Sequence, residues 1–145
     1  MIKTIMQNYN FSSIKAILSL ENMYSKTAYD NSPDLGEYFP EGVWINLYED
    51  GNIAGIVNLK QLNNVMWQPH IYILETKRNK GSEEWGKQVA EYMRKKYDAK
   101  KFLAMTPYKN AKKYAQRIGF KQIAVLTSSI QKNGELLDQY MLELE

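Results

Sequence analysis

HIYILETKRNKGSEEWGKQVAEYMRKKY, residues His70–Tyr97, decides how the rest of the chain is read. Ile71, Tyr72, Ile73 and Leu74 form the β-branched, aromatic and aliphatic run that suits a buried strand. Lys77, Arg78 and Lys80 then crowd around Gly81. Ser82 stands where an N-cap is expected, with Glu83 and Glu84 in the first helical turn. Trp85, Val89, Tyr92, Met93 and Tyr97 recur at steps of three and four, which places them on one face of a helix. A strand that feeds a glycine turn opening a helix aims backbone N–H groups and the positive end of the helix dipole at one spot, a ready anion site.

Before this stretch, Met1–Met6 reads as a short strand. Ser12 or Ser13 then caps a helix whose apolar side is Ile14, Ile17, Leu18 and Tyr24. Residues 25–42 are polar and hold two prolines and two glycines, so a long loop with a helical turn is expected, forming one wall of a substrate groove. Val43–Tyr48 alternates as a strand, Asp50-Gly51 is a hairpin turn, and Ile53–Leu59 returns beside it. Asn63-Asn64 turns the chain into Val65–Leu74, where Pro69 predicts a bulge.

After the helix, Lys101–Met105 is a short buried strand. Thr106-Pro107 signals a second helix that places Ala111, Tyr114, Ala115 and Ile118 inward and stops at Gly119. Gln122–Ile130 and Leu136–Leu144 close the chain as a hairpin across Asn133-Gly134. The order β–α–loop–β–β–β–α–β–α–β–β is α+β: a mixed, mostly antiparallel sheet of six to seven strands with helices on both faces. The strand–helix–strand unit around 65–105 supplies one parallel pairing.

At 145 residues and 44% hydrophobic, the chain reads as a single domain, 1–145, able to bury a core. No apolar run reaches membrane-spanning length and the N-terminus lacks a signal-peptide core, so no membrane partner is expected. Zero cysteines exclude disulfides, thiol nucleophiles and thiolate metal sites, and fit a reducing, cytoplasmic setting. A single histidine, His70, is too few for a histidine-built metal site, so no metal is expected. Residues 1–72 carry four basic and seven acidic side chains, and residues 73–145 carry fifteen and nine. That basic half suits a phosphorylated ligand. Nucleic acid would rest on charge alone, since no reader motif is present.

With Arg78-x-x-Gly81 between strand and helix, IYILETKRNKG at 71–81 and Ala111…Ile118-Gly119-Phe120 near the end, the chain resembles the GNAT superfamily of acyl-CoA-dependent N-acyltransferases along nearly its whole length. The resemblance implies the GNAT-like three-layer α/β fold and acetyl-CoA as co-substrate. It implies main-chain binding of the pantetheine arm along Ile71, Tyr72 and Ile73. A pyrophosphate cradle over Arg78, Asn79, Lys80, Gly81, Ser82, Gly86 and Lys87 follows, with Asn110 as a further coenzyme contact. It also implies an amine acceptor, small molecule or protein, and allows a homodimer.

The chain departs from the family pattern at Glu83, where a small residue is usual, placing a carboxylate beside the pyrophosphate. Gly86, one turn later, with Lys77, Lys80 and Lys87, is the expected compensation. The family's frequent general-acid tyrosine falls on Ala115, so Tyr114 and Tyr108 are the candidate acids. His70 is the candidate base if a bulge at Pro69 turns it to the site, with Glu75 and Glu49 behind it. The alternative to an acetyl-transferring enzyme is a non-catalytic GNAT-like binding or head-assembly protein, since GNAT-like proteins of tailed bacteriophages show a similarly blurred glycine loop.

Overall fold

The computed structural model describes residues 1–38 and 41–145; Phe39 and Pro40, in the expected loop 25–42, lie outside the described residues. The elements run β1 (Lys3–Gln7), α1 (Phe11–Ser19), α2 (Met23–Thr27), β2 (Val43–Glu49), β3 (Asn52–Gln61), β4 (Met66–Ile73), α3 (Glu83–Tyr97), β5 (Lys101–Thr106), α4 (Lys109–Ile118), β6 (Lys121–Lys132) and β7 (Glu135–Leu144). Short 3-10 turns at Leu20–Asn22 and Glu75–Lys77 join α1 to α2 and lead out of β4. One seven-stranded sheet holds all the strands in the order β1-β2-β3-β4-β5-β7-β6. Among the described residues only β4 and β5 pair in parallel, because α3 carries the chain back to start β5 beside the beginning of β4.

The sheet is covered on both faces. On one face Ile45, Leu47, Val57, Leu59, Trp67 and Ile73 pack with Trp85, Val89 and Met93 of α3 and Ala115 of α4. On the other, Trp44 and Ile56 pack with Ile14, Ile17 and Leu18 of α1 and Met23 and Tyr24 of α2. β2 is therefore buried on both sides, with Trp44 at 2% and Ile45 at 0% exposure. The polar member of its alternation, Asn46, is also buried and accepts a bond from Asn8 Nδ2 at 3.0 Å. Both Asx-Gly hairpins form as read: Asp50, Gly51, Asn133 and Gly134 all have positive φ, the requirement of a two-residue turn that matches strand twist.

Four local expectations are corrected. Asn10, not Ser12 or Ser13, caps α1; its side chain accepts from the Ser13 N–H. The first helix does not run through to Tyr24, because Glu21 and Asn22 take positive φ and break it. Tyr24 reaches the same core cluster from α2. Ser82 precedes α3 but makes no side-chain cap. Helix α4 starts two residues after Pro107, and Thr106 Oγ1 instead accepts from the Tyr108 N–H at 3.1 Å.

The fifth correction positions the site. No bulge occurs at Pro69: the β3–β4 register runs unbroken through Leu59↔Pro69 and Asn58↔His70. The register shift falls between β2 and β3, where Leu47↔Gly55 is followed by Tyr48↔Ile53. Pro69 is tolerated for another reason. β4 pairs with β5 only at Met66↔Lys101 and Trp67↔Phe102, and beyond Trp67 the two strands part. Ladder groups alternate along a strand; Leu74 donates to Ala54 on the β3 side while Ile73 O accepts from Arg78 on the other. By the same parity Pro69 points its missing N–H into the gap, where no strand needs it.

Gly55 sits where β3 presses against β4: a Cβ there would lie 2.1 Å from Tyr72 O and 2.9 Å from Ile73 Cα. At Gly86 a Cβ would meet side-chain atoms alone, Ile118 Cδ1 at 2.2 Å and Cγ1 at 2.7 Å. Gly55→Ala is expected to lower stability by about 3 kcal/mol or more because two backbones must separate, and Gly86→Ala by about 1–2 kcal/mol because a side chain can turn. Urea midpoints of the two variants check the ranking; equal losses would show that the strands at Gly55 yield as easily as Ile118.

Candidate functional site

The gap between β4 and β5 is where the sheet leaves its own main-chain groups unpaired. By strand parity Ile71 and Ile73 turn their N–H and C=O groups into it, and Tyr72 turns its own into the β3 ladder. Tyr72 therefore offers its side chain, not its backbone. A cleft of about 160 Å³ opens here, lined by Ile71, Tyr72, Glu75 and Arg78 from the β4 side and Glu21, Met23, Lys26 and Thr27 from the helical side. Its wall is held by the broken helix: Glu21 Oε1 accepts from the Glu75 N–H at 2.9 Å.

The loop leading to α3 lies at the end of this cleft. Gly81 has φ 87°, the conformation that favours glycine. Among the described residues, the N–H groups of Asn79, Lys80 and Gly81 make no hydrogen bond, which leaves three donors beside the N-terminus of a fifteen-residue helix. Arg78 uses Nε on Ile73 O at 3.0 Å and keeps the rest of its fork free. Lys80 and Lys87 are exposed nearby in sequence. This donor set fits an anion of pyrophosphate type.

Sequence reading treated Glu49 as a distant base candidate, but it supports the loop. It is 4% exposed and accepts from Asn79 Nδ2 at 3.0 Å and Lys77 Nζ at 3.4 Å, with Lys3 Nζ at 3.6 Å. The Asn79 bond first, then Lys77 and Lys3, hold its carboxyl below the usual carboxylate range against the opposing effect of burial. Asn79 and Lys77 thus face a buried carboxylate, and Asn79 Oδ1 is buried without a partner. Nothing in the run VWINLYEDG marks Glu49 as buried, so no sequence signal could have found it.

Glu83 leans to Arg117 of α4 at 3.6 Å and is not left alone over the loop. Tyr114, a candidate acid, donates its hydroxyl to Ser82 O at 2.9 Å; burial first, then the Glu83 charge, raise its pKa. It is placed as a strut between α4 and the loop. At Gly86 the space a side chain would need is taken by Ile118, so the bare glycine serves the α3–α4 contact. Asn110 is exposed on the first turn of α4.

The face of β4 away from α3 carries the other candidates. His70 lies in the cross-strand row Trp44, Asn58, His70, and Tyr72 in the row Asn46, Ile56, Tyr72. His70 reaches this face by ordinary alternation, without the expected bulge. Its own surface is exposed, yet enough protein surrounds it that desolvation, and then Lys60, lower its pKa. Around Tyr72 gather Tyr24, Tyr29 and Tyr38; burial first raises the pKa of all four phenols, and nearby groups add to it, Asp34 at Tyr24, Tyr108 at Tyr29, Tyr24 and Glu41 at Tyr38 and the other three phenols at Tyr72. Tyr108 stands on the far side, its hydroxyl accepting from Lys132 Nζ at 3.0 Å. Tyr29 and Lys132 were not singled out from the sequence, because residues 26–30 and 131–134 come together only in the fold.

No family model matches this sequence, and no curated protein matches it. Among solved structures, a Vibrio cholerae spermidine N-acetyltransferase in complex with CoA and spermine superposes with TM-score 0.70 at 16% identity, covering 98% of this chain and 94% of that one. An acetyltransferase of the GNAT family from Streptococcus pneumoniae gives 0.73 at 14% identity over 99% and 98%. A structure provisionally described as a phosphinothricin N-acetyltransferase gives 0.77 at 16% identity over 99% and 98%. The chain has the GNAT fold. No described helix is long and apolar enough to cross a membrane, and no group of three or more metal-ligating side chains occurs among the described residues.

Glu49→Gln tests the loop support. A carboxyl with a lowered folded pKa adds stability above its unfolded value, near pH 4, and loses it as pH falls through the folded value. The variant is expected to be less stable than the wild type at neutral pH, with the difference vanishing on acidification. Urea midpoints measured from neutral pH down to about pH 3 check this; a difference that persists at the acid end would point to shape and not charge.

Proposed function

We propose that the protein is an acyl-CoA-dependent N-acyltransferase, transferring an acetyl group from acetyl-CoA to an amine. The observation that carries this is the juxtaposition of the β4–β5 gap, edged by Ile71 and Ile73, with the free N–H donors of Asn79, Lys80 and Gly81. One end offers hydrogen bonds to an extended amide-bearing arm and the other holds its phosphates. Solved neighbours on the same fold include a spermidine N-acetyltransferase with CoA bound.

In this reading a neutral amine attacks the thioester carbon, the carbon–nitrogen bond forms as the carbon–sulfur bond breaks, and the thiolate leaves. Edge N–H groups on Ile71 and Ile73 stabilise the developing oxyanion. His70 takes the ammonium proton, directly or through water. Tyr108 protonates the departing sulfur, and Tyr114 has a strut's role. Much of the acceleration comes from holding amine and thioester together, which asks little of side chains.

Acetyl-CoA at 100-fold over its dissociation constant is expected to add about 2.7 kcal/mol, a melting shift of roughly 5–10 °C for a domain of this size. No shift with millimolar acetyl-CoA or longer acyl-CoAs would overturn the coenzyme site. His70→Ala is expected to lower turnover about 10²–10⁴-fold. Because its pKa is lowered, the wild-type rate should already be level at neutral pH and fall only below the usual histidine value near 6.5. Turnover per folded molecule that survives the substitution would assign His70 to structure alone.

A further inference from the structure

Two segments far apart in sequence close over the wide end of the β4–β5 gap. β4 and β5 are parallel and part toward Ile73 and Thr106, so the gap widens at those ends. On one bank, α2 runs into the segment 28–31. On the other, the β6–β7 hairpin extends beyond Tyr140, the last β7 partner of β5. The two meet at Asp30, whose carboxylate accepts the Asn133 N–H and the Gly134 N–H, each at 2.8 Å, while its own N–H donates to Gln131 O at 3.0 Å. Lys132 adds a strut: Nζ donates to Lys26 O at 2.7 Å and to Tyr108 OH at 3.0 Å, and lies 6.0 Å from the Tyr29 ring centroid. Three bonds to one aspartate and two from one lysine make a strap.

The strap changes what can approach the gap. An acceptor presented on a folded protein or an extended peptide needs an open groove along the sheet for the residues that follow the amine. Here the groove is bridged by the Asp30 and Lys132 contacts.

We infer that the acceptor is a compact primary amine admitted beneath the Asp30–hairpin strap, and not a protein or peptide amine. The inference rests on the acyltransferase reading and refines its substrate. It is tested without knowing the natural acceptor by binding two conjugates of coenzyme A. In each, the sulfur is joined through an acetyl bridge to a nitrogen, of propylamine in one and of a short peptide's N-terminus in the other. The wild type should bind the propylamine conjugate at least about ten-fold tighter than the peptide conjugate. Asp30→Ala, which removes both carboxylate bonds, should tighten the peptide conjugate until the two differ by about two-fold or less. Lys132→Ala, which removes the other strut and leaves Asp30 in place, should move the ratio in the same direction. Equal binding of the two conjugates by the wild type, or a preference unchanged in both variants, overturns the inference while leaving the coenzyme site intact. Failure of acetyl-CoA itself to shift the melting temperature removes the acyltransferase reading, and this inference with it.

Discussion

The structure depends on a sheet that stops pairing partway along two neighbouring strands. Main-chain N–H and C=O groups are obligatory hydrogen-bonding groups, and a sheet interior normally satisfies them strand to strand. β4 and β5 share only Met66↔Lys101 and Trp67↔Phe102, and then separate. Everything nearby makes that separation tenable. Pro69 removes one donor, Arg78 satisfies Ile73 O, and the pressed contact at Gly55 keeps β4 on its β3 side. The groups that remain unpaired in the gap are the ones a linear amide-bearing ligand can take up.

The second requirement is a rigid turn before α3, and its support comes from outside it. Glu49, at the end of β2, places a carboxylate beneath the loop, where Asn79, Lys77 and Lys3 converge on it. A buried carboxylate is tolerated when its oxygens are met by hydrogen bonds and cations, and the geometry here meets them. Tyr114 braces the same loop from α4 through Ser82 O, and Glu83 is drawn aside toward Arg117. An acidic residue at the first turn of α3 thus stabilises the helix end without standing unpaired over the anion site.

The α1–α2 face is organised by aromatic hydroxyls. Tyr24, Tyr38 and Trp44 pack ring against ring, at 4.9 and 6.2 Å between successive centroids, and Tyr72 extends the group to β4. His70 shares that side of the strand with Tyr72, so the one histidine and the phenols face the same bank of the gap. The broken helix at Glu21 and Asn22 brings Glu21 back to the Glu75 N–H, tying this bank to the turn that leaves β4.

Periodicity and turn chemistry carried the elements, their order and the single parallel pairing, because strand alternation, helical spacing and Asx-Gly turns are local properties of adjacent residues. Gly81 and the helix behind it marked the anion-binding turn for the same reason. Local reading failed where a residue's conformation answers to a distant partner. Pro69 looked like a bulge because β5 could not be seen parting from it, and Gly86 looked like part of the loop because Ile118 lies thirty-two positions on. Glu49 reads in the sequence only as a base candidate, and nothing local ties Asp30 or Lys132 to their partners. The sequence alone determined which segments become strands, helices and turns; only the tertiary structure decided which polar groups are left unpaired and which are spoken for, since hydrogen bonding between residues far apart in the chain is settled by packing and not by neighbours.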